Sequence, residues 1–280
     1  NIIITDKKKY KICLKKNKNK KLKIFNSFKD LNKIFKNKVD YTMVAISGLE
    51  GLFPTMQIIK YTKKIALANK ESIICAWNLI KKELSKYKTK FIPVDSEHFS
   101  IWYASKNNFQ NIEKIILTAS GGPLYKLPVK KFKRVKISQA LNHPNWRMGK
   151  KISIDSATMM NKVFEIIEAK NIFGVHYNNL SILVHPSSYI HALIKFKTGL
   201  IKLIAHETDM KVPIYNTLED IISKKIFTKK IEIEKLNNLN LQNIDKMKFP
   251  LTNLLKILPN KISLFETVIV SANDELVNHF

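Results

Sequence analysis

The chain has 280 residues, 45% of them hydrophobic, which is ample for a buried core and for more than one domain. Its formal charge of +27 comes almost wholly from lysines spread along the chain. Only Arg134 and Arg147 are arginines, so a bias toward AT-rich codons explains the charge better than nucleic-acid readout does. Cys13 and Cys75 lack metal-ligand spacing and exclude a disulfide framework, and no apolar run is long enough to span a membrane.

The first ninety-odd residues alternate between short apolar runs and amphipathic stretches. Tyr10 to Leu14 reads as a strand, Phe28 to Phe35 as a helix and Tyr41 to Ile46 as a buried strand. Ser47-Gly48-Leu49-Glu50-Gly51 turns into a helix reaching about Tyr61. Lys64 to Ala68 reads as a strand, Glu71 to Tyr87 as a helix and Phe91 to Val94 as the next strand. This alternation predicts a parallel sheet with right-handed crossovers, which binds ligands at the carboxyl ends of its strands. Asn69-Lys70-Glu71 and Asp95-Ser96-Glu97 fall at such ends.

Beyond residue 95 the order is mixed, as in a separate α+β domain. Ile115 to Leu117 is a strand ending in Ser120-Gly121-Gly122-Pro123, a turn whose backbone N–H groups can converge on an anion. A loop around His143-Pro144-Asn145-Trp146-Arg147-Met148-Gly149 leads to a long helix, with Ser156 expected as its N-cap. Leu180 to Val184 and Ile190 to Phe196 are β-type runs. Residues 224–260 are rich in Asn and Lys and read as a linker with short helices, before a C-terminal helical piece running to Phe280.

Asp95, Glu97 and Glu165 offer carboxylates without a thiol, a donor set that suits Mg²⁺ or Mn²⁺. Asp95 serves equally well as a helix cap. On the helix after Ser156, Asn161, Glu165 and Glu168 share a face flanked by Lys162. Ser156, Asn161 and Lys162 together could hold a phosphate. His98 is placed to orient the carboxylate pair, whereas His185 and His191 read as structural.

Together these segments resemble the 1-deoxy-D-xylulose 5-phosphate reductoisomerase family. The matching stretches are Leu67-Ala68-Asn69-Lys70-Glu71-Ser72, Pro93 to His98, Ser120 to Pro123, His143 to Trp146 with Met148-Gly149, Asp155 to Lys162 with Glu165, His185-Pro186-Ser187 and Asp209 to Ile214. They follow the family's order over residues 40–214. Ser271-Ala272-Asn273-Asp274-Glu275 resembles a later family signature. The resemblance implies a truncated Rossmann-like parallel sheet, an α+β catalytic domain and the start of a C-terminal helical domain. It places these at residues 1–94, 95–223 and 261–280, with 224–260 as linker. It also implies NADPH, a divalent metal, a phosphorylated sugar substrate, a homodimer, and either a bacterial cytoplasm or a plastid.

By resemblance, Asp95, Glu97 and Glu165 bind the metal. Lys70, Ser96, Glu97, Ser120, His143, Trp146, Ser156, Asn161, Lys162 and Glu165 contact the substrate, with Ser120, Ser156, Asn161 and Lys162 as the phosphate pocket. Asn69, Glu71 and Gly149 contact NADPH, and Asp95, Glu97, Glu165, Lys70 and His143 are catalytic. The family's Gly-rich dinucleotide turn and its nucleotide-selecting residues do not occur here. The sequence therefore reads as a fragment at both ends, expected to bind the nucleotide poorly. The alternatives are another metal-assisted NAD(P)-dependent dehydrogenase, and a basic nucleic-acid-binding protein.

Overall fold

A parallel pair of strands anchors the first of two compact units, residues 1–72 with 78–92; the second comprises residues 73–77 with 93–280. The computed structural model describes residues 1–105, 109–218, 226–228, 231–237, 239–261 and 263–279.

In the first unit the order is β1 (Ile2–Ile3), α1 (Lys7–Lys16), β2 (Ile24–Phe25), α2 (Leu31–Ile34), β3 (Val39–Val44), α3 (Leu52–Ile58), β4 (Thr62–Leu67), α4 (Lys70–Lys86) and β5 (Lys90–Pro93). Strands β3, β4 and β5 form a sheet in that order, and β3 pairs parallel with β4 from Val39↔Thr62 to Val44↔Leu67. The two carboxyl ends therefore coincide. The β3–α3 and β4–α4 turns are tied there by Asn69, whose Nδ2 donates to Ile46 O (2.6 Å) and Gly48 O (2.8 Å). Its Oδ1 accepts from Ser72 N at 2.7 Å and so caps α4.

Tyr10 to Leu14, expected as a strand, is helical. Asp6 accepts from Lys9 N at 2.8 Å and caps α1, and no residue of that helix is buried. A cap and a run of good helix formers outweigh a short apolar run that has no sheet to enter.

The second unit contains α5 (Ser96–Ser105), β6 (Ile112–Ala119), α6 (Ile137–Leu141), α7 (Lys150–Ala157), α8 (Met160–Phe173), β7 (Leu180–Val184), β8 (Ile190–Phe196), β9 (Ile201–Ala205), α9 (Lys211–Asn216), β10 (Gln242–Asn243) and α10 (Phe265–Asn278). Its five strands run in the order β10-β7-β6-β8-β9. β6 and β7 are parallel, while β8 runs antiparallel to both β6 and β9. Helix α8 packs on β6 and β7, and α5 on β8 and β9. Phe164, Ile167, Ile115, Leu117 and Ile194 are among the buried residues of this core.

This register sets the site. Ala119 lies opposite Val184, and Ile190 opposite Ala205. Ser120, His185, His191 and His206 consequently gather at one end of the sheet.

Ser156 is not the N-cap of the long helix. It lies near the end of α7, and α8 begins only at Met160, after Met159 adopts a left-handed φ of 64°. A methionine gives no sequence signal for such a turn, which is rare in side-chain-bearing residues.

Within the stretch read as a linker, Gln242–Asn243 adds an antiparallel edge strand to β7, and Phe249 is buried in the core. Residues 224, 225, 229, 230 and 238 of that stretch, and Phe280 at the end of the expected C-terminal helix, lie outside the described residues.

Candidate active site

Asp95 lies in the short turn between β5 and α5, just before the first residue of the helix. Its backbone O accepts from Phe99 N at 2.7 Å, and its Oδ1 accepts from Glu97 N at 3.3 Å. The cap reading and the ligand reading are thus compatible, because capping turns Asp95 and Glu97 to the same end of the helix. Glu165 comes from α8, and one ligand oxygen from each of these three carboxylates lies within 4.8 Å of the others. Glu165 is buried, while Asp95 and Glu97 are half-buried.

Lys162 binds the cluster together. Its Nζ lies 2.5 Å from Glu97 Oε1 and is also paired with Glu165 Oε2. Asn161 Nδ2 donates to Glu165 Oε1 at 2.5 Å, and Ser96 Oγ donates to Glu97 Oε2 at 2.5 Å. Burial opposes the charge on Lys162, but Glu165 and Glu97 outweigh it and hold the ammonium above the usual lysine range.

Behind the carboxylates, His98 is fully buried and donates from Nε2 to the backbone O of Glu165 at 2.9 Å. Its Nδ1 faces Asp95 (3.6 Å) and Glu168 (3.9 Å). Burial alone would lower its pKa, but Glu168, Asp95 and Glu165 raise it to about 9.

The donor set passes a simple charge test. Asp95, Glu97 and Glu165 set three negative charges against the single positive charge of Lys162, while Glu168 and protonated His98 cancel. Two negative charges remain, which a divalent cation with oxygen preference would neutralise.

The second half of the site is built around His143. Its Nδ1 accepts from Trp146 N (2.9 Å) and Asn145 N (3.2 Å), so the proton resides on Nε2. That Nε2–H donates to Ser120 Oγ at 3.0 Å, and Gly122 N donates to the same oxygen at 3.0 Å. With both lone pairs accepting, the Ser120 hydroxyl presents its own hydrogen outward, as an anion requires. Asn145 Nδ2 fastens the loop to Pro186 O (2.7 Å) and Ser188 Oγ (2.8 Å).

Close backbone packing brings Ser156 to this turn. A Cβ at Gly122, where φ is +71°, would lie 2.4 Å from Ser156 O. Gly122→Ala should therefore cost on the order of 1–3 kcal/mol in chemical denaturation, and an unchanged midpoint would contradict this packing.

His143 is pushed down to about 4, by burial first and then by Lys162. Burial and the neighbouring His206 push His191 down to about 3. Unfolded histidines, titrating near about 6.5, bind protons that these folded ones refuse. Their contribution to stability is thus full above about pH 6.5 and is lost as pH falls toward the folded values. His98, held near 9 in the fold, contributes stability that is full below about pH 6.5 and begins to fall as pH rises past it, so near pH 7 it offsets part of the gain from the pair. The thermal midpoint should fall between about pH 7 and pH 5, and a flat profile would contradict neutral burial of this pair.

The structure therefore joins Asp95, Ser96, Glu97, Asn161, Lys162 and Glu165 directly, and sets Ser120, His143, Trp146 and Ser156 in a second group. Lys162 acts electrostatically on His143. Gly149 is the exposed N-cap of α7. Asn69, Lys70 and Glu71 belong to the first unit, at the start of α4. The contacts of Asn145 and His206 leave no local signal in the sequence, because Asn145 binds Pro186 and Ser188 and His206 stacks on His191.

Family models described as 1-deoxy-D-xylulose 5-phosphate reductoisomerase and as the C-terminal domain of that enzyme match residues 1–77 and 91–173. A 1-deoxy-D-xylulose 5-phosphate reductoisomerase of Pelagibacter ubique (strain HTCC1062) is 59% identical over all of this chain and 73% of its own length. The enzyme of Wolbachia pipientis wMel is 40% identical over 86% of this chain, which spans 63% of that relative. A crystal structure of DOX-P reductoisomerase in complex with NADPH, fosmidomycin and magnesium superimposes with a TM-score of 0.89. It is 31% identical, over 99% of this chain and 71% of its own.

Proposed function

This chain belongs to the 1-deoxy-D-xylulose 5-phosphate reductoisomerase family, and from that premise we propose that it converts 1-deoxy-D-xylulose 5-phosphate to 2-C-methyl-D-erythritol 4-phosphate in non-mevalonate isoprenoid precursor biosynthesis. The observation that carries the reading is the meeting of Asp95, Glu97 and Glu165 beside the Ser120–His143 pair.

Asp95, Glu97 and Glu165 hold Mg²⁺ or Mn²⁺ in this reading. A bound cation would supply Lewis-acid polarisation of substrate oxygens, and NADPH would supply the hydride. The Ser120 hydroxyl, oriented by His143 and Gly122, donates to the substrate phosphate together with Ser156, Asn161 and Lys162. Ser96 and Lys70 contact the sugar, while Trp146 on its loop excludes water from the reacting carbons. The substrate undergoes retro-aldol cleavage and aldol rejoining before its new aldehyde is reduced. Binding the phosphate keeps both fragments in place between those events.

Asn69, Glu71 and Gly149 are the nucleotide contacts in this reading. What supports it in the first unit is the place of Asn69, which caps α4 and ties the β3–α3 turn at the carboxyl end of β4, where open α/β sheets bind their ligands.

We assign residues 1–94 to the cofactor domain, 95–223 to catalysis, 224–260 to a connecting stretch that lends an edge strand and Phe249 to the catalytic unit, and 261–280 to the beginning of a helical domain. A homodimer in the bacterial cytoplasm is the setting we propose. Among the described residues no helix is long and apolar enough to cross a membrane. The test is oxidation of NADPH dependent on both 1-deoxy-D-xylulose 5-phosphate and Mg²⁺, with the product identified by mass. Oxidation supported instead by other hydroxy acids or ketones would favour a different dehydrogenase.

A further inference from the structure

We propose that His206 is a positioning residue for the sugar-phosphate site, acting through His191 and Trp146 on His143. The proposal rests on the reading that Ser120 and His143 face the substrate.

His206 follows β9 at the end of the sheet where Ala205 pairs with Ile190, so the register sets it beside His191. The two imidazoles stack with ring centroids 3.8 Å apart and planes at 19°. His191 is held a second time, because its Nε2 donates to the backbone O of His206 at 3.1 Å. Both rings are almost fully buried, at 2% and 6% exposure.

The His206 ring has a fixed tautomer. Its Nδ1 donates to Glu207 O at 2.7 Å, which leaves Nε2 as a lone pair. That Nε2 is buried with no partner among the described residues. An unsatisfied buried acceptor is unfavourable, so hydrogen bonding at Nε2 does not account for an imidazole here. What the ring provides is a flat face. Burial keeps it neutral, which removes the repulsion that two stacked imidazolium rings would suffer.

The flat face has a consequence. His191 presents its other surroundings to Trp146, whose ring meets it edge-on at 6.1 Å and 67°. The backbone N–H of Trp146 donates to His143 Nδ1 at 2.9 Å, and His143 Nε2 donates to Ser120 Oγ at 3.0 Å. A continuous series of contacts therefore runs from His206 to the hydroxyl that presents its hydrogen to the phosphate. Without the His206 ring, His191 can tilt into the vacated volume. Trp146 then loses its seat, and the donor from Trp146 N to His143 shifts with it.

Three replacements separate the ring from its hydrogen bond. His206→Phe keeps a flat ring, His206→Asn keeps a donor toward Glu207 O, and His206→Ala keeps neither. Each is compared with the unaltered chain in two measurements. The first is KM and kcat for 1-deoxy-D-xylulose 5-phosphate with NADPH and Mg²⁺. The second is acrylamide quenching of Trp146 fluorescence, in a background carrying Trp77→Phe and Trp102→Phe.

His206→Ala and His206→Asn should raise KM about tenfold, the size expected when a group orienting a ligand contact is lost, with kcat within about twofold. Both should increase quenching of Trp146, and His206→Phe should restore both readouts. Unchanged KM and quenching in His206→Ala would overturn the proposal, as would rescue by Asn but not by Phe. If His206→Ala does not fold, the Phe–Asn comparison decides. If the unaltered chain shows no turnover, the functional reading fails separately, and the quenching series alone supports or overturns the positioning role.

Discussion

Glu165→Gln should abolish metal-dependent turnover while leaving the fold intact. The replacement is isosteric, but its single amide oxygen can accept either from Asn161, as Oε1 does, or from Lys162, as Oε2 does, so one of the two contacts is given up. Lys162 retains its pairing with Glu97. What disappears is one of three charges that together leave the cluster two charges negative. The loss in kcat should reach at least about 100-fold, the scale seen when one preorganised charge-stabilising group is removed. Circular dichroism and the thermal midpoint without metal should stay close to those of the unaltered chain. Full activity would remove Glu165 from the metal set.

Lys162→Ala should act on stability and on substrate binding together. The ammonium is buried between Glu97 and Glu165, and both carboxylates would remain when it is removed. Breaking a buried pair in this way costs roughly 3–5 kcal/mol, less whatever is recovered when one carboxylate takes up a proton. Added Mg²⁺ should reverse much of that loss, because a cation that binds only the folded chain stabilises it by mass action. The Mg²⁺-induced rise in thermal midpoint should be larger in the variant than in the unaltered chain, where Lys162 competes for the same oxygens. KM for 1-deoxy-D-xylulose 5-phosphate should also rise, since Lys162 is a phosphate ligand in this reading. Equal stability with an equal Mg²⁺ response would show that Lys162 does not neutralise the triad, and an unchanged KM would remove it from the phosphate pocket.

Much of this site was legible from residue type and spacing. Asp95 and Glu97 stand together after an apolar run, and Asn161, Glu165 and Glu168 follow helical spacing, so local pattern was enough to propose a metal face. His98 was legible as a neighbour because it adjoins the carboxylates; in the fold its Nδ1 lies 3.6 Å from Asp95 and its Nε2 bonds the Glu165 carbonyl. The α/β alternation likewise survives in the β3-β4-β5 sheet.

The rest depended on information that a local pattern does not hold. The break between α7 and α8 turns on Met159 in a left-handed conformation, which no methionine announces. At Tyr10 to Leu14 the apolar run misleads, because no element of the fold covers it and in α1 no residue is buried. The Lys162–Glu97 pair, the Asn145–Ser188 bond and the His191–His206 stack all join residues brought together by sheet register. Lys162 illustrates the difference well. Its spacing suggested a phosphate ligand, whereas the fold shows its ammonium already shared by Glu97 and Glu165, two of the three clustered carboxylates.

The central claim is that Asp95, Glu97 and Glu165 form one divalent-cation site within reach of a bound sugar phosphate. Its most direct test is Mn²⁺ binding to the purified chain, followed by electron paramagnetic resonance with and without 1-deoxy-D-xylulose 5-phosphate. The account predicts one bound ion per chain, a signal that changes when the substrate is added, and loss of that bound signal in Glu165→Gln. A free-ion spectrum in the unaltered chain, or a bound signal that Glu165→Gln leaves intact, would contradict it.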